Sequence, residues 1–170
     1  INKGSTFYFD IDLETSNETN SSETESNTSQ LTTIASNKIK HEYPNLKIMI
    51  VEDNKINMLL LKTIIKNLFY DVEIFEFLNG KEAIEQFEFL KPTLVFMDIQ
   101  MPVMDGVELV KNLLEFEDKP LIIVQSIASD MSLIIELMQK GVYDYLLKSY
   151  TMSELILRVG KAYEVSELRI

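Results

Sequence analysis

The stretch "LKIMIVEDNKINMLLLKTIIKNL", residues 46–68, changes its period partway along. Its first six residues form an apolar run broken only by Lys47, with the length and β-branched content of a buried strand. Beyond Glu52-Asp53, the residues Ile56, Leu59, Leu60, Ile64 and Leu68 recur at helical spacing and predict a helix with those side chains turned to the core. A buried strand that hands over to an amphipathic helix, with two acids at the joint, is one strand-helix unit.

The unit repeats four more times. "VEIFEF" (72–77) predicts a second strand, and after Asn79-Gly80 a second helix follows that uses Ala83, Ile84 and Phe87. "TLVFMD" (93–98) is the third strand, and after Gly106 the residues Val107, Val110, Leu113 and Leu114 form a helical face. "PLIIVQ" (120–125) is the fourth strand; Met131, Ile134, Ile135 and Met138 line the next helix, stopped by Gly141 as a C-terminal glycine cap. "DYLLK" (144–148) is the fifth strand, and Met152, Leu155, Ile156, Val159 and Ala162 mark the fifth helix. Short loops between alternating strands and helices require parallel pairing through right-handed crossovers, with helices on both faces. The expected fold class is therefore α/β: an open, doubly wound five-stranded parallel sheet of roughly 120 residues. If its order is the flavodoxin-like 2-1-3-4-5, ligands collect at the carboxyl ends of the strands, beside the point where strand order reverses.

Composition narrows the partners. The 27 acidic residues outnumber the 16 basic ones and give a formal net charge of −11, which opposes binding to nucleic acid or to an anionic membrane surface. There is no cysteine and a single histidine, His41, so thiolate catalysis, cysteine-bound zinc and a multi-histidine metal site are all excluded. No apolar run approaches the length of a membrane span and no signal peptide is evident, so a cytoplasmic location is expected. A chain that opens at Ile1 without methionine reads as a piece of something longer.

The first 45 residues have a different texture. "STFYFDIDL" (5–13) alternates like one short strand, which cannot fold alone. "TSNETNSSETESNTSQ" (15–30) is wholly polar and cannot bury enough apolar area to offset the entropy of ordering. The expected organisation is an isolated strand in residues 1–14, a flexible polar linker at 15–45, the strand-helix domain at 46–165 and a short tail at 166–170.

Chemistry gathers at the predicted strand ends. Strand one ends in Glu52-Asp53, strand three in Asp98, strand four in Gln125-Ser126 and strand five in Lys148. In the 2-1-3-4-5 order, strands one and three are neighbours and their three carboxylates converge, which raises their pKa values or recruits a cation. An all-oxygen site open to water suits Mg²⁺, and Lys148 adds a point charge on the other flank. Such a set fits phosphoryl transfer with Asp98 as nucleophile, where a cation, an ammonium and a hydroxyl neutralise the equatorial oxygens. Asp105, just before Gly106 and the third helix, suits a turn or capping position.

Residues 46 to about 165 resemble a receiver (response-regulator) domain of two-component signalling. "VEDNKINMLLL" (51–61), "VFMDIQMPVMDG" (95–106) and "GVYDYLLK" (141–148) match its acidic pair, phosphoacceptor loop and lysine strand, in order. The resemblance implies that Asp98 accepts a phosphoryl group from a phosphohistidine, on a histidine kinase or a histidine phosphotransfer protein. It implies Mg²⁺ held by Asp53, Asp98 and the Gln100 carbonyl, with Glu52 acting through a metal-bound water and Lys148 contacting the phosphoryl group. Tyr145 matches the aromatic switch, which would alter the surface of the fourth helix, fifth strand and fifth helix. For the switch hydroxyl, counting from Lys148 or Gly141 selects Ser126, whereas counting from Pro120 selects Gln125; adjacent strand residues face opposite sides, and Ser126 is favoured because a hydroxyl can donate to a phosphoryl oxygen. Two departures stand out: Ser149 follows the lysine where the family usually has proline, and Ile127 occupies a position usually held by a small residue.

"NKGSTFYFDIDLE" (2–14) looks like the final strand of a histidine-kinase ATP-binding domain. Strand, tether and receiver in that order imply the C-terminal part of a hybrid sensor histidine kinase, whose kinase core this segment lacks. Competing readings are a pseudo-receiver that regulates a kinase without being phosphorylated, and a haloacid-dehalogenase-like phosphatase built on Asp10 and Asp12.

Overall fold

The structure, a computed structural model, describes residues 40–101, 104, 106–127 and 131–169. The strand expected at 5–13 with Asp10 and Asp12, most of the linker, and Asp105 lie outside the described residues.

The elements run in the order β1 (His41–Glu42), β2 (Lys47–Val51), α1 (Lys55–Leu68), β3 (Phe69–Tyr70), β4 (Glu73–Phe77), α2 (Gly80–Leu90), β5 (Leu94–Asp98), α3 (Gly106–Glu115), β6 (Leu121–Ser126), α4 (Met131–Lys140), β7 (Asp144–Leu147) and α5 (Met152–Glu167). The main sheet has the order β4-β2-β5-β6-β7, every pairing parallel, which is 2-1-3-4-5 counted over its five strands. Alternation along the strands divides the core in two. Met49, Val51, Val95, Met97, Ile122 and Val124 pack with residues of α2, α3 and α4. Ile48, Ile50, Leu94, Phe96, Ile123 and Leu146 pack with α1 and α5.

Local chemistry sets the helix starts. The Asn54 side chain accepts from the Ile56 and Asn57 amides at 2.9 and 3.3 Å, so α1 is capped by the residue that follows the acidic pair and begins at Lys55. Asn79 caps α2 by accepting from Glu82 N at 3.0 Å, and Thr151 with Glu154 forms a reciprocal capping box on α5. Gly106 sits where a Cβ would lie 2.5 Å from the Ile99 Cα, so only glycine lets α3 start this close to the end of β5.

Two expectations are corrected. The apolar stripe chosen for α1 is turned by about one residue: Met58, Leu61 and Ile65 are buried, while Ile56 is 76% and Leu59 62% exposed. In α4 the buried pair is Ile134 and Leu137, with Ile135 54% exposed. Both helices carry apolar residues on more than one face, so spacing alone does not say which stripe meets the sheet. Residues 41–44, grouped with the polar linker on sequence, make long-range contacts. His41–Glu42 pairs in parallel with Phe69–Tyr70, the Tyr43 ring packs at a tilt with its centre 5.6 Å from that of Phe69 and 4.9 Å from that of Tyr163, and the Tyr163 hydroxyl donates to the Pro44 carbonyl at 3.1 Å. A partly apolar segment with partners 26 to 120 residues away gives no local signal of its order.

Candidate functional site

Four strands deliver polar groups to one end of the sheet. Glu52 follows β2, Asp98 ends β5, Gln125 and Ser126 end β6, and Lys148 follows β7. The buried polar residues among those described are Glu52, Asp98, Gln125 and Ser126, at 2%, 5%, 5% and 2% exposure. Buried charges persist only when paired. Here the Lys148 ammonium donates to Asp98 Oδ2 at 2.6 Å and to Glu52 Oε2 at 3.4 Å.

Each carboxylate is oriented by further donors. The Gln100 amide donates to Asp98 Oδ1 at 3.1 Å, and Asn57 Nδ2 and the Asn54 amide donate to Glu52 Oε1 at 3.0 and 3.3 Å. Burial pushes the Glu52 carboxyl above the usual glutamate range, helped by the Asp98 charge and opposed by Asn57 and Lys148. For Lys148 burial works downward, yet the contact with Asp98 and then Glu52 outweighs it and holds the ammonium above its ordinary value.

Glu52, Asp53 and Asp98 each offer a carboxylate oxygen within 4.8 Å of the others, Asp53 being the most open to solvent. A donor set of hard oxygens without nitrogen or sulfur fits Mg²⁺, which keeps part of its water shell. Gln100 is exposed beside this cluster, its amide bound to Asp98.

The paired residues at the end of β6 separate by face. Ser126 follows Ile122 and Val124 onto the α2–α4 side, the side of Tyr145 and Leu147, and its Oγ donates to the Ile127 carbonyl at 3.3 Å. Gln125 follows Leu121 and Ile123 onto the α1–α5 side, where Tyr150 also packs, with Asp98 as its register partner. Tyr145 is half-buried; the Arg158 guanidinium lies 5.5 Å from its ring centre and pairs with Asp144. Ile127, 44% exposed, flanks the site. Sequence reasoning treated Gln125 only as a rival to Ser126 and passed over Tyr150 and Asn57. For Asn57, its place one helical turn beyond the acidic pair was a usable signal. A groove of about 870 Å³ lies elsewhere, lined in part by Pro44, Phe87, Pro120 and Tyr163, and shares no residue with this cluster.

Residues 48–160 match the family described as "Response regulator receiver domain". The chain is 33% identical over 115 residues to the chemotaxis protein CheY of Thermotoga maritima, spanning 68% of this chain and 95% of that protein. It is 30% identical over 115 residues to the chemotaxis protein CheY of Bacillus subtilis, with the same coverage of 68% and 95%. Among solved structures, the receiver domain of the Francisella response regulator 1452 superposes with a TM-score of 0.65 at 27% identity, covering 72% of this chain and 99% of that one.

Proposed function

This chain belongs to the response regulator receiver domain family, and we propose that it is a phosphoacceptor module in which Asp98 receives a phosphoryl group from a phosphohistidine. One observation carries the reading. A lysine ammonium lies 2.6 Å from a buried aspartate at the carboxyl end of a parallel sheet, with two further carboxylates within 4.8 Å. Nothing in the packing of the core calls for that concentration of charge, whereas phosphoryl transfer does.

The residues divide the work. An Asp98 oxygen forms the new O–P bond as the donor's N–P bond breaks, and the electron pair leaves on the imidazole nitrogen. The Gln100 amide keeps the carboxylate aimed, which converts much of the entropic cost of reaction into geometry set at folding. Lys148 neutralises charge on the transferred oxygens, and its elevated pKa keeps it protonated. Held by Asp53, Asp98 and the Gln100 carbonyl beside Glu52, Mg²⁺ would supply Lewis-acid neutralisation of the phosphoryl oxygens. Ser126 is the switch hydroxyl by its spacing from Gly141 and Lys148; because it starts on the opposite face of β6 from Asp98, reaching a phosphoryl oxygen requires the strand end to move, and that movement lets the Tyr145 ring turn inward under Arg158, altering the α4-β7-α5 surface.

The donor is a histidine kinase or a histidine phosphotransfer protein, and the module works in the cytoplasm. A place in a hybrid sensor histidine kinase rests on "NKGSTFYFDIDLE" alone. Incubation with acetyl phosphate and Mg²⁺ tests the function: intact mass should rise by one phosphoryl group, and Asp98→Asn should abolish the gain. An unchanged mass in the wild-type chain, together with no Mg²⁺ binding, would establish the pseudo-receiver reading instead, for which Ile127 beside the site is the favouring observation.

A further inference from the structure

Gln125 is the odd residue of its strand face. Leu121 and Ile123 precede it toward the α1–α5 core, and an aliphatic side chain in its place would bury without penalty. Instead a carboxamide is 5% exposed, and its Nε2 has no hydrogen-bond partner among the described residues. A buried donor left unmade weighs against the fold, and such groups persist where another state of the protein uses them. Two neighbours point to that state. Asp98 is its register partner on the adjacent strand, one strand spacing away and on the same face. Tyr150 packs into the same α1–α5 core, and burial pushes its hydroxyl up to about 12.

We propose that Gln125 is a positioning residue for the phosphorylated state, donating from Nε2 to the Asp98 oxygen that Lys148 releases. This rests on the phosphoacceptor reading. In the unphosphorylated chain Lys148 is divided between Asp98 and Glu52. A phosphoryl group on Asp98 offers new anionic oxygens, Lys148 turns to them, and the acyl oxygen it leaves is buried and in need of a donor. Gln125, braced by Tyr150, supplies one without rearrangement of the backbone. The pair lies on the opposite face of the sheet from Ser126 and Tyr145, so the two tyrosines report different events: Tyr145 the turning of the switch, Tyr150 the bracing of the acceptor.

Calorimetric titration of the full chain separates this from a merely structural role. With Mg²⁺ alone, Gln125→Met should bind as the wild type does, within about twofold, because the metal-facing acids are intact. With beryllofluoride at saturating Mg²⁺, it should bind roughly threefold to tenfold more weakly, the worth of one hydrogen bond. Tyr150→Phe should move the same way by less, and the melting temperature of Gln125→Met should match or exceed that of the wild type. Equal beryllofluoride affinity in wild type and Gln125→Met overturns the proposal, as does a parallel loss of Mg²⁺ affinity, which would mark a distorted site. Failure of the wild-type chain to bind beryllofluoride would instead overturn the phosphoacceptor reading and this inference with it.

Discussion

The two ends of the sheet bury opposite kinds of group. At the carboxyl end Glu52 and Asp98, 2% and 5% exposed, share one ammonium. At the amino end neutral rings pack together, Tyr43 with Phe69 and Tyr163 at 5.6 and 4.9 Å, and hold the incoming chain against the base of the domain. Buried ion pairs are poor stabilisers, because desolvation consumes most of the Coulombic gain, whereas aromatic packing stabilises with little to offset it. The difference teaches that stability is drawn from the core and the aromatic base rather than from the charged end.

Substitutions at the charged end should break the comparison most strongly. Lys148→Met leaves two buried carboxylates without their shared partner and should lower unfolding free energy by about 3 to 5 kcal/mol at neutral pH in metal-free buffer, as read from urea melts. Mg²⁺ should restore part of that loss; a stability equal to wild type without metal would show that the acids are not confined as described.

The two glycines at which an added Cβ would come closer than 3.0 Å to a neighbour separate the ends further. At Gly106 an added Cβ meets backbone, the Ile99 Cα at 2.5 Å and the Asp98 carbonyl at 2.8 Å. Gly106→Ala should therefore cost about 2 to 3 kcal/mol and slow phosphorylation of Asp98 as well. At Gly160 the Cβ would meet only the tip of a side chain, the Tyr43 hydroxyl at 2.6 Å.

Glu52→Gln should go the other way in stability. Burial disfavours the ionised carboxylate, and a neutral amide can still accept from Asn57, so the metal-free fold should gain about 1 kcal/mol while Mg²⁺ affinity falls at least tenfold. A smaller effect is expected at the base. Gly160→Ala should be near neutral, since the gain in helix propensity offsets displacement of the Tyr43 ring, but in a Tyr43→Ala background it should stabilise by about 1 kcal/mol. A double-mutant cycle with no coupling would mean that Tyr43 does not dock on α5.

The pH profile gives the finest distinction. Glu52 has a raised folded pKa, so the native state holds its proton more tightly than the unfolded chain does; metal-free stability should fall as pH rises from the ordinary glutamate range through the elevated Glu52 value. Mg²⁺ affinity should rise over the same window as the competing proton leaves. Lys148, also raised, contributes stability that is complete below the ordinary lysine pKa and lost as pH climbs through its elevated value. Glu52→Gln should flatten the acid-side slope and spare the alkaline one.

Much of this was legible from residue order. Five alternations of strand and helix fix a parallel doubly wound sheet, because short loops and right-handed crossovers leave no other pairing, and the same alternation puts Glu52, Asp98 and Lys148 at one edge. Caps were equally local: Asn79 and Gly80 open α2 because the asparagine oxygen reaches an amide three residues on.

Tertiary structure decided what local period leaves degenerate. In α1 the apolar residues outnumber those one face can bury, and only docking against β2 and β5 selects Met58, Leu61 and Ile65 over Ile56 and Leu59. Spacing along the chain left Gln125 and Ser126 as rivals, with Ser126 favoured; the pairing of β6 with β5 and β7 sends Gln125 to the side of Asp98 and Ser126 to the side of Tyr145. The docking of residues 41–44 depends on partners at 69, 160 and 163, contacts whose energy appears only after the helices are in place. Sequence alone thus determined which groups exist and in what order the chain presents them, since propensity and period act over a few residues. Which faces meet, and so which donor stands beside which acid, was settled by long-range packing, where a single residue of register reverses a side chain's direction.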